Sequence, residues 1–374
     1  MLVQKTTISN VRNVQGKADK LLVREFCEED RPAVLSLFRE TLVDSEQYTD
    51  DYWDWMYCQN PLKSAIIWVA VDGEKLVGHY ALIPLEMTVN GAVRTGATAV
   101  NIAVHPDYQG KGIFPRLVAA AAEQAGRDGV VLSYVFPNER AYPIFTRKLG
   151  WVKVGSLRTL VRPLDVAAIL RHRCRSRFQV KALAWLVELF LGLFFRPRQA
   201  PLPAGTEITE VSSFDGRIDG FWEKVRGGFR VMPVRDRQYL TWRFVKKPVR
   251  SGYEILLAEC RGETLGYLVV KSKELEGNTA GAIMDILTLP GREDVARCLI
   301  SRAIQRCREA GAETLNCDIS RTNPYYGSFR KSGFMPFPEG VPRLAVQTNC
   351  AELSLDFLGD PENWFITIGG GNWL

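Results

Sequence analysis

Four positions recur in order 187 residues further along the chain: Tyr52, Trp55, Tyr57 and Pro61 are answered by Tyr239, Trp242, Phe244 and Pro248. The alternating runs Ile66 to Val71 and Lys75 to Ile83, around Asp72-Gly73-Glu74, predict a hairpin. It recurs as Glu254 to Val270 around Arg261-Gly262-Glu263. The segment Phe145 to Trp151 is echoed by Phe329 to Phe334. Chance supplies any one of these matches, but not their common order. Two copies are too few for a solenoid. They predict two domains of one fold, a natural division of 374 residues. The expected limits are a polar tail over 1–20, a domain over 21–163, a basic and apolar linker over 164–205, and a second domain over 206–374.

Each copy alternates strand and helix signals. In the first, Leu21 to Phe26 reads as a strand, Glu29 to Leu42 as a helix and Asp50 to Tyr57 as a short aromatic helix. Leu85 to Val89 reads as a further strand ending at Asn90-Gly91, and Thr98 to Val104 as the next. Leu117 to Arg127 is a helix stopped near Gly129, Val130 to Val135 a strand, Arg140 to Lys148 a helix, and Trp151 to Val154 a strand.

Between the strand ending at Val104 and the helix lies HPDYQGKGIFPRLV, His105 to Val118. Amides at a helix start have no intrahelical partners and, with the helix dipole, form an anion site. Glycines let phosphate oxygens approach those amides. Lys111 adds a positive charge, and Pro115 suits a first helical turn. The spacing is neither a Walker A loop nor a GxGxxG fingerprint. A capped surface turn without ligand explains the same residues.

Composition narrows the field. A net charge of +6 is too small for a typical polyanion binder, so no nucleic acid is expected. The eight cysteines include no CxxC pair and there are only three histidines, so neither a metal site nor a disulfide framework is expected. Reduced thiols suit a cytoplasmic setting.

Gln109-Gly110-Lys111-Gly112-Ile113-Phe114, the preceding Val104-His105-Pro106 and the later NERAYPIFTRKLGW (Asn138 to Trp151) together resemble the GCN5-related N-acetyltransferase (GNAT) superfamily. The resemblance covers residues 21–160, and 206–340 by fold pattern alone. It implies an α/β class with mixed α+β sheets, two GNAT-like acyl-CoA N-acyltransferase domains in tandem. It also implies that Gln109 to Phe114, with Ile102, Ala103 and Val104 on the strand and Asn138 and Phe145 beyond, bind acetyl-CoA or another acyl-CoA. Two departures stand out. Phe114 occupies a position that is small in the family, so its ring must point away from phosphate. Thr146 stands where the family often has a Tyr acid, and Tyr142, four residues earlier, is the substitute candidate unless it is a core filler.

The resemblance implies direct attack of an amine on the thioester. The oxyanion donor is then a backbone amide near Ala103 or Val104. Glu86, Glu139 and His105 are candidate bases or surface residues. Alternation places Asn101 on the side of Ala103, where it orients substrate or serves as a satisfied core amide. The candidate catalytic set is Tyr142, Glu139, Asn101 and Thr146. The second copy has Pro290-Gly291-Arg292-Glu293-Asp294 in place of the loop, and its acids repel pyrophosphate. It is read as degenerate. A terminal carboxylate at Leu374 is a further candidate base, as the resemblance to tandem GNAT proteins implies.

The linker segment Arg171 to Arg198 places five basic residues before an apolar run too short to cross a bilayer. Its alternatives are a helix buried between domains and a peripheral contact with an anionic inner leaflet. The expected function is an acyl-CoA-dependent N-acetyltransferase acting on a small-molecule primary amine, with an amino sugar or cell-surface glycan precursor as the acceptor and homodimerisation admitted. The competing readings are a catalytically silent acyl-CoA-binding module and a peripheral membrane scaffold.

Overall fold

The computed structural model describes residues 21–171, 185, 189, 204–248, 252–275, 278–337, 343–367 and 369. In chain order the strands are β1 Leu21–Glu25, β2 Ile66–Asp72, β3 Lys75–Val89, β4 Ala92–Val104, β5 Leu132–Val135, β6 Val152–Ser156, β7 Arg158–Pro163 and β8 Thr206–Val211. They continue with β9 Val231–Pro233, β10 Tyr253–Cys260, β11 Glu263–Leu275, β12 Asn278–Thr288, β13 Thr314–Ile319, β14 Met335–Pro336 and β15 Arg343–Thr348. The longer helices are α1 Arg31–Thr41, α2 Ile113–Arg127, α3 Arg217–Val225 and α4 Glu293–Glu309.

The strands form two mixed sheets. One runs β1-β2-β3-β4-β5-β15-β6, with β9 against β3; the other runs β14-β7-β13-β12-β11-β10-β8. In each, one pair is parallel, β4–β5 and β12–β13, and the rest are antiparallel.

The halves exchange a strand. β15 enters the first sheet between β5 and β6, pairing Ala345 with Val135 and Val346 with Val152. β7 enters the second between β13 and β14, pairing Leu160 with Cys317 and Val161 with Met335. The cause is local: only Leu157 separates β6 from β7. A hairpin commonly needs a loop of two or more residues. β7 therefore cannot fold back on β6 and runs on into the other sheet. The limits at 163 and 206 follow the chain, whereas the strands cross them.

The repeat motifs meet each other. Residues Asp54–Cys58 and Thr241–Val245 each form one π-helical turn. Trp55 and Trp242 stack with centroids 5.4 Å apart. Trp55 Nε1 donates to the Trp242 carbonyl at 2.7 Å and Trp242 Nε1 to the Trp55 carbonyl at 2.8 Å. This reciprocal pair is the signature of a local pseudo-two-fold axis. Both tryptophans lie in one core cluster shared by the halves.

Two expected elements differ. The separate strands at 75–83 and 85–89 are one strand through Pro84. There β2 has already ended opposite Leu82 and β9 begins opposite Met87, so the missing amide hydrogen faces an unpaired stretch of edge. The helix expected over 140–148 is shortened to 142–148, and its residues Ile144–Lys148 form a π-helical turn; Pro143 sits in the first turn, where its missing amide hydrogen is not needed.

Candidate functional site

The first sheet forks. β4 and β5 pair in parallel only at Gly96–Leu132, Ala97–Ser133 and Thr98–Tyr134. β4 continues to Val104, so on that side Ala99–Val104 has no strand neighbour among the described residues. The register of β3 against β4 shifts between His79 and Ala81, leaving Asn101 and Ile102 opposite Tyr80. Such a bulge bends and twists its strand. Asn101 accordingly has φ +47°, left-handed for a non-glycine residue.

Buried polar groups hold that bulge. The Asn101 carbonyl faces His79 Nδ1 at 2.8 Å. Tyr52 donates to Asn101 Oδ1 at 3.1 Å, and Asn101 Nδ2 donates to the Tyr57 hydroxyl at 2.7 Å. Burial pushes the His79 imidazole down to about 4, so it is neutral at pH 7 and its Nδ1–H is the donor to the Asn101 carbonyl. Burial likewise pushes the Tyr57 phenol well up. Asn101 and Ala103 share a face, as alternation suggests, but Val100 lies on it too because the bulge adds a residue. Asn101 is a satisfied core amide here, and Tyr52, Tyr57 and His79 are the partners that sequence reasoning missed.

The fork opens onto the glycine loop. His105 Nδ1 accepts from the Asp107 amide at 3.3 Å, capping one turn, Pro106–Tyr108. Gln109 Nε2 donates to the Val104 carbonyl at 3.2 Å and ties the loop to the strand end. Gly110 and Gly112 have φ +78° and +77°, and a Cβ at either would meet nothing within 4 Å. Backbone conformation therefore demands glycine here, and the space above it is open. α2 begins at Ile113 with no side-chain cap and no acid in its first turn, which leaves its amides to an anion. Lys111 Nζ lies 4.4 Å from the Tyr108 ring centroid, and Lys75 Nζ 5.7 Å. The Phe114 ring turns from the loop to pack on Tyr80 and Phe145, at 6.3 and 5.2 Å between centroids. Ile113 is buried beneath, close to where Gly78 lets α2 approach β3.

Most of the remaining candidates lie on the segment that follows β5. Asn138 Oδ1 accepts from the Ala141 amide at 2.9 Å, fixing the turn that carries Tyr142. Phe145 is fully buried between Phe114 and Trp151. Thr146 Oγ1 donates to the Tyr142 carbonyl at 2.9 Å, so its proton is engaged. Tyr142 is half-buried; burial raises its phenol pKa, opposed by Arg343, whose guanidinium sits 5.0 Å from the ring centroid. Arg343 comes from the exchanged strand β15, so nothing local in sequence points to it. Glu139 and Glu86 are exposed, and His105 Nε2 faces Lys75 Nζ at 3.0 Å.

The second sheet forks in the same way, but the chain fills its fork. β12 and β13 pair in parallel only from Ala280–Thr314 to Ile283–Cys317. Beyond that, Thr367 bridges Ile319, and Thr367 Oγ1 donates to Asp285 Oδ1 at 2.7 Å. The Gly369 carbonyl accepts from Arg243 Nε at 2.9 Å and from the Tyr239 hydroxyl at 3.2 Å. Asp285 also pairs with the fully buried Arg235 at 2.8 Å and accepts from Tyr267 at 2.9 Å. Here α4 begins with Glu293 and Asp294, the wrong sign for phosphate. Among the described residues the second half therefore shows neither an open fork nor a phosphate cradle.

Among the described residues no cluster of His, Cys, Asp or Glu is arranged to hold a metal ion, and no helix is long and apolar enough to cross a membrane. Of the segment 171–198 only Arg171, Trp185 and Leu189 are described, and Leu374 lies outside the described residues.

Residues 22–154 match the acetyltransferase (GNAT) domain family. No curated protein matches the chain. Solved structures of similar fold include a GCN5-related N-acetyltransferase from Anabaena variabilis, 12% identical, covering 88% of this chain and 73% of that one, TM-score 0.61. A probable N-acyltransferase of unknown function from Enterococcus faecalis is 12% identical, covering 88% and 72%, TM-score 0.59. Saccharomyces cerevisiae N-myristoyltransferase with bound myristoyl-CoA is 13% identical, covering 90% and 84%, TM-score 0.58. A domain of the matched family supports acyl transfer from acyl-coenzyme A.

Proposed function

We propose that this chain, whose residues 22–154 form a GNAT domain, transfers an acetyl or other short acyl group from acyl-coenzyme A to a primary amine. One observation carries the reading: the open β4–β5 fork ends at an uncapped helix start preceded by two left-handed glycines. Pyrophosphate on the amides around Gly110 to Phe114 leaves the pantetheine arm to run along the unpaired edge of β4. A thioester carbonyl in the fork accepts a hydrogen bond from an amide of Ile102, Ala103 or Val104, which stabilises the developing oxyanion. The neutral amine attacks the carbonyl carbon, the carbon–sulfur bond breaks and the thiolate leaves. Tyr142, held protonated above its ordinary range by burial, supplies the leaving group's proton. The proton shed by the nitrogen passes through water to restore the proton that Tyr142 gives up. The acceptor is a small amine such as an amino sugar or cell-surface glycan precursor.

Calorimetry with acetyl-coenzyme A on the full chain tests the cradle, and thiol release over a panel of amines tests the transfer. Absence of binding at tens of micromolar sinks the reading. With Tyr142→Phe, kcat falls by about tenfold or more while acetyl-CoA affinity stays constant; equal kcat removes Tyr142 from the chemistry. A silent acyl-CoA-binding module is the second reading, favoured by the engaged Thr146 hydroxyl. It predicts binding without turnover on any amine.

A further inference from the structure

The strand exchange leaves a wedge where the chain passes from β6 to β7, and the wedge holds a cavity of about 180 Å³. Leu157, the single crossing residue, forms one wall; Leu344 of β15 and Trp364 of the tail form others. All three are apolar and at most 5% exposed. At the mouth stand Arg158 and Arg321, with Ser320 and Thr322 beside them.

Among the described residues no acidic side chain lines this cavity. Neither arginine makes an ion pair or a side-chain hydrogen bond with a described residue. Of the three hydroxyls that line it, those of Ser156, Ser320 and Thr322, two have their protons used: Thr322 Oγ1 donates to the Pro361 carbonyl at 3.1 Å, so Ser320 Oγ donates to Thr322 Oγ1 at 2.6 Å. The side-chain donors left for a ligand are therefore the Ser156 hydroxyl and the guanidinium N–H groups, whose fork matches a carboxylate. The walls favour hydrocarbon, and the volume lies below the roughly 300–1,000 Å³ of sites for drug-sized ligands.

We propose that this cavity binds a small carboxylate with an apolar body, its hydrocarbon against Leu157, Leu344 and Trp364 and its carboxylate at Arg158 and Arg321. The site does not depend on the acyl-transfer reading. It exists because β7 leaves the first sheet, and no residue of the coenzyme A loop contributes to it.

Hexanoate is the probe, titrated against the full chain by saturation-transfer NMR and calorimetry. A ligand of this size in a partly open site is expected to bind with a Kd on the order of 1 mM. Hexan-1-ol and hexylammonium, which keep the chain but lack the anion, bind about tenfold more weakly. Arg158→Gln and Arg321→Glu each weaken hexanoate by about tenfold with an unchanged melting curve. Arg321 is exposed, so its variant keeps the test available if Arg158→Gln does not fold. Saturating coenzyme A leaves hexanoate binding intact. Equal binding of hexanol, wild-type affinity in the folded variants, displacement by coenzyme A, or no hexanoate binding at all overturns the proposal.

Discussion

If the β4 bulge creates the fork, then releasing Asn101 should close it. Two substitutions separate the contributions. Asn101→Gly keeps the left-handed backbone but removes the bonds to Tyr52 and Tyr57. Each lost bond exposes a buried phenol to an unmet polar requirement, at about 1–3 kcal/mol each. Partial relaxation puts the sum at about 2–4 kcal/mol, with up to about 1 kcal/mol more for the greater chain entropy of glycine. Asn101→Ala removes the same bonds and also places Cβ without side-chain compensation at φ +47°, adding about 1–2 kcal/mol. Urea unfolding at pH 7 should therefore rank wild type above Gly, and the two substitutions should differ by the balance of strain against entropy. The sharper readout is acetyl-coenzyme A affinity. Glycine retains the bulge and costs little affinity, whereas alanine drives the strand toward regular pairing and costs about tenfold, the equivalent of 1.4 kcal/mol. Equal affinity in both variants, with both folded, refutes the link between bulge and fork.

Gly110→Ala and Gly112→Ala meet no atom within 4 Å, so only backbone strain acts. Each should weaken acetyl-coenzyme A about 5–30-fold by calorimetry, for about 1–2 kcal/mol of strain, with little change in the melting curve. Trp55→Ala and Trp242→Ala should each cost about 3–5 kcal/mol in urea unfolding, and the double variant less than their sum because each removes the other's partner. His79 gives a pH signature. Its folded pKa of about 4 lies below the ordinary 6.5, so the unfolded chain takes up its proton first as pH falls. Its contribution is complete above pH 6.5 and shrinks toward pH 4, by an amount on the order of 3 kcal/mol. His79→Gln should flatten that part of the wild-type stability profile; parallel profiles for the two proteins would show that His79 is protonated in the fold.

The local parts of this molecule were legible in its residues. Gly110 and Gly112 announced a tight turn before a helix, and both take the left-handed backbone that few other residues tolerate. The ring at Phe114 was expected to point away from the phosphate side, and Tyr80 and Phe145 receive it. The 187-residue repeat predicted two copies of one fold, and Trp55 and Trp242 of the repeated motif meet face to face. These readings need only steric rules and spacing. What tertiary structure decided depends on partners far apart in the chain. Strand pairing is set by which edge is free when a segment arrives, so β7 and β15 exchanged sheets without a sign in their own residues. The same holds for the tail in the second fork, for Arg343 over Tyr142, and for Asn101, whose role rests on tyrosines 44 and 49 residues away. One local clue to the exchange was available, the single residue between β6 and β7. It could become decisive only once a second sheet offered β7 an edge, because backbone hydrogen bonds must be met somewhere and sequence alone does not say where.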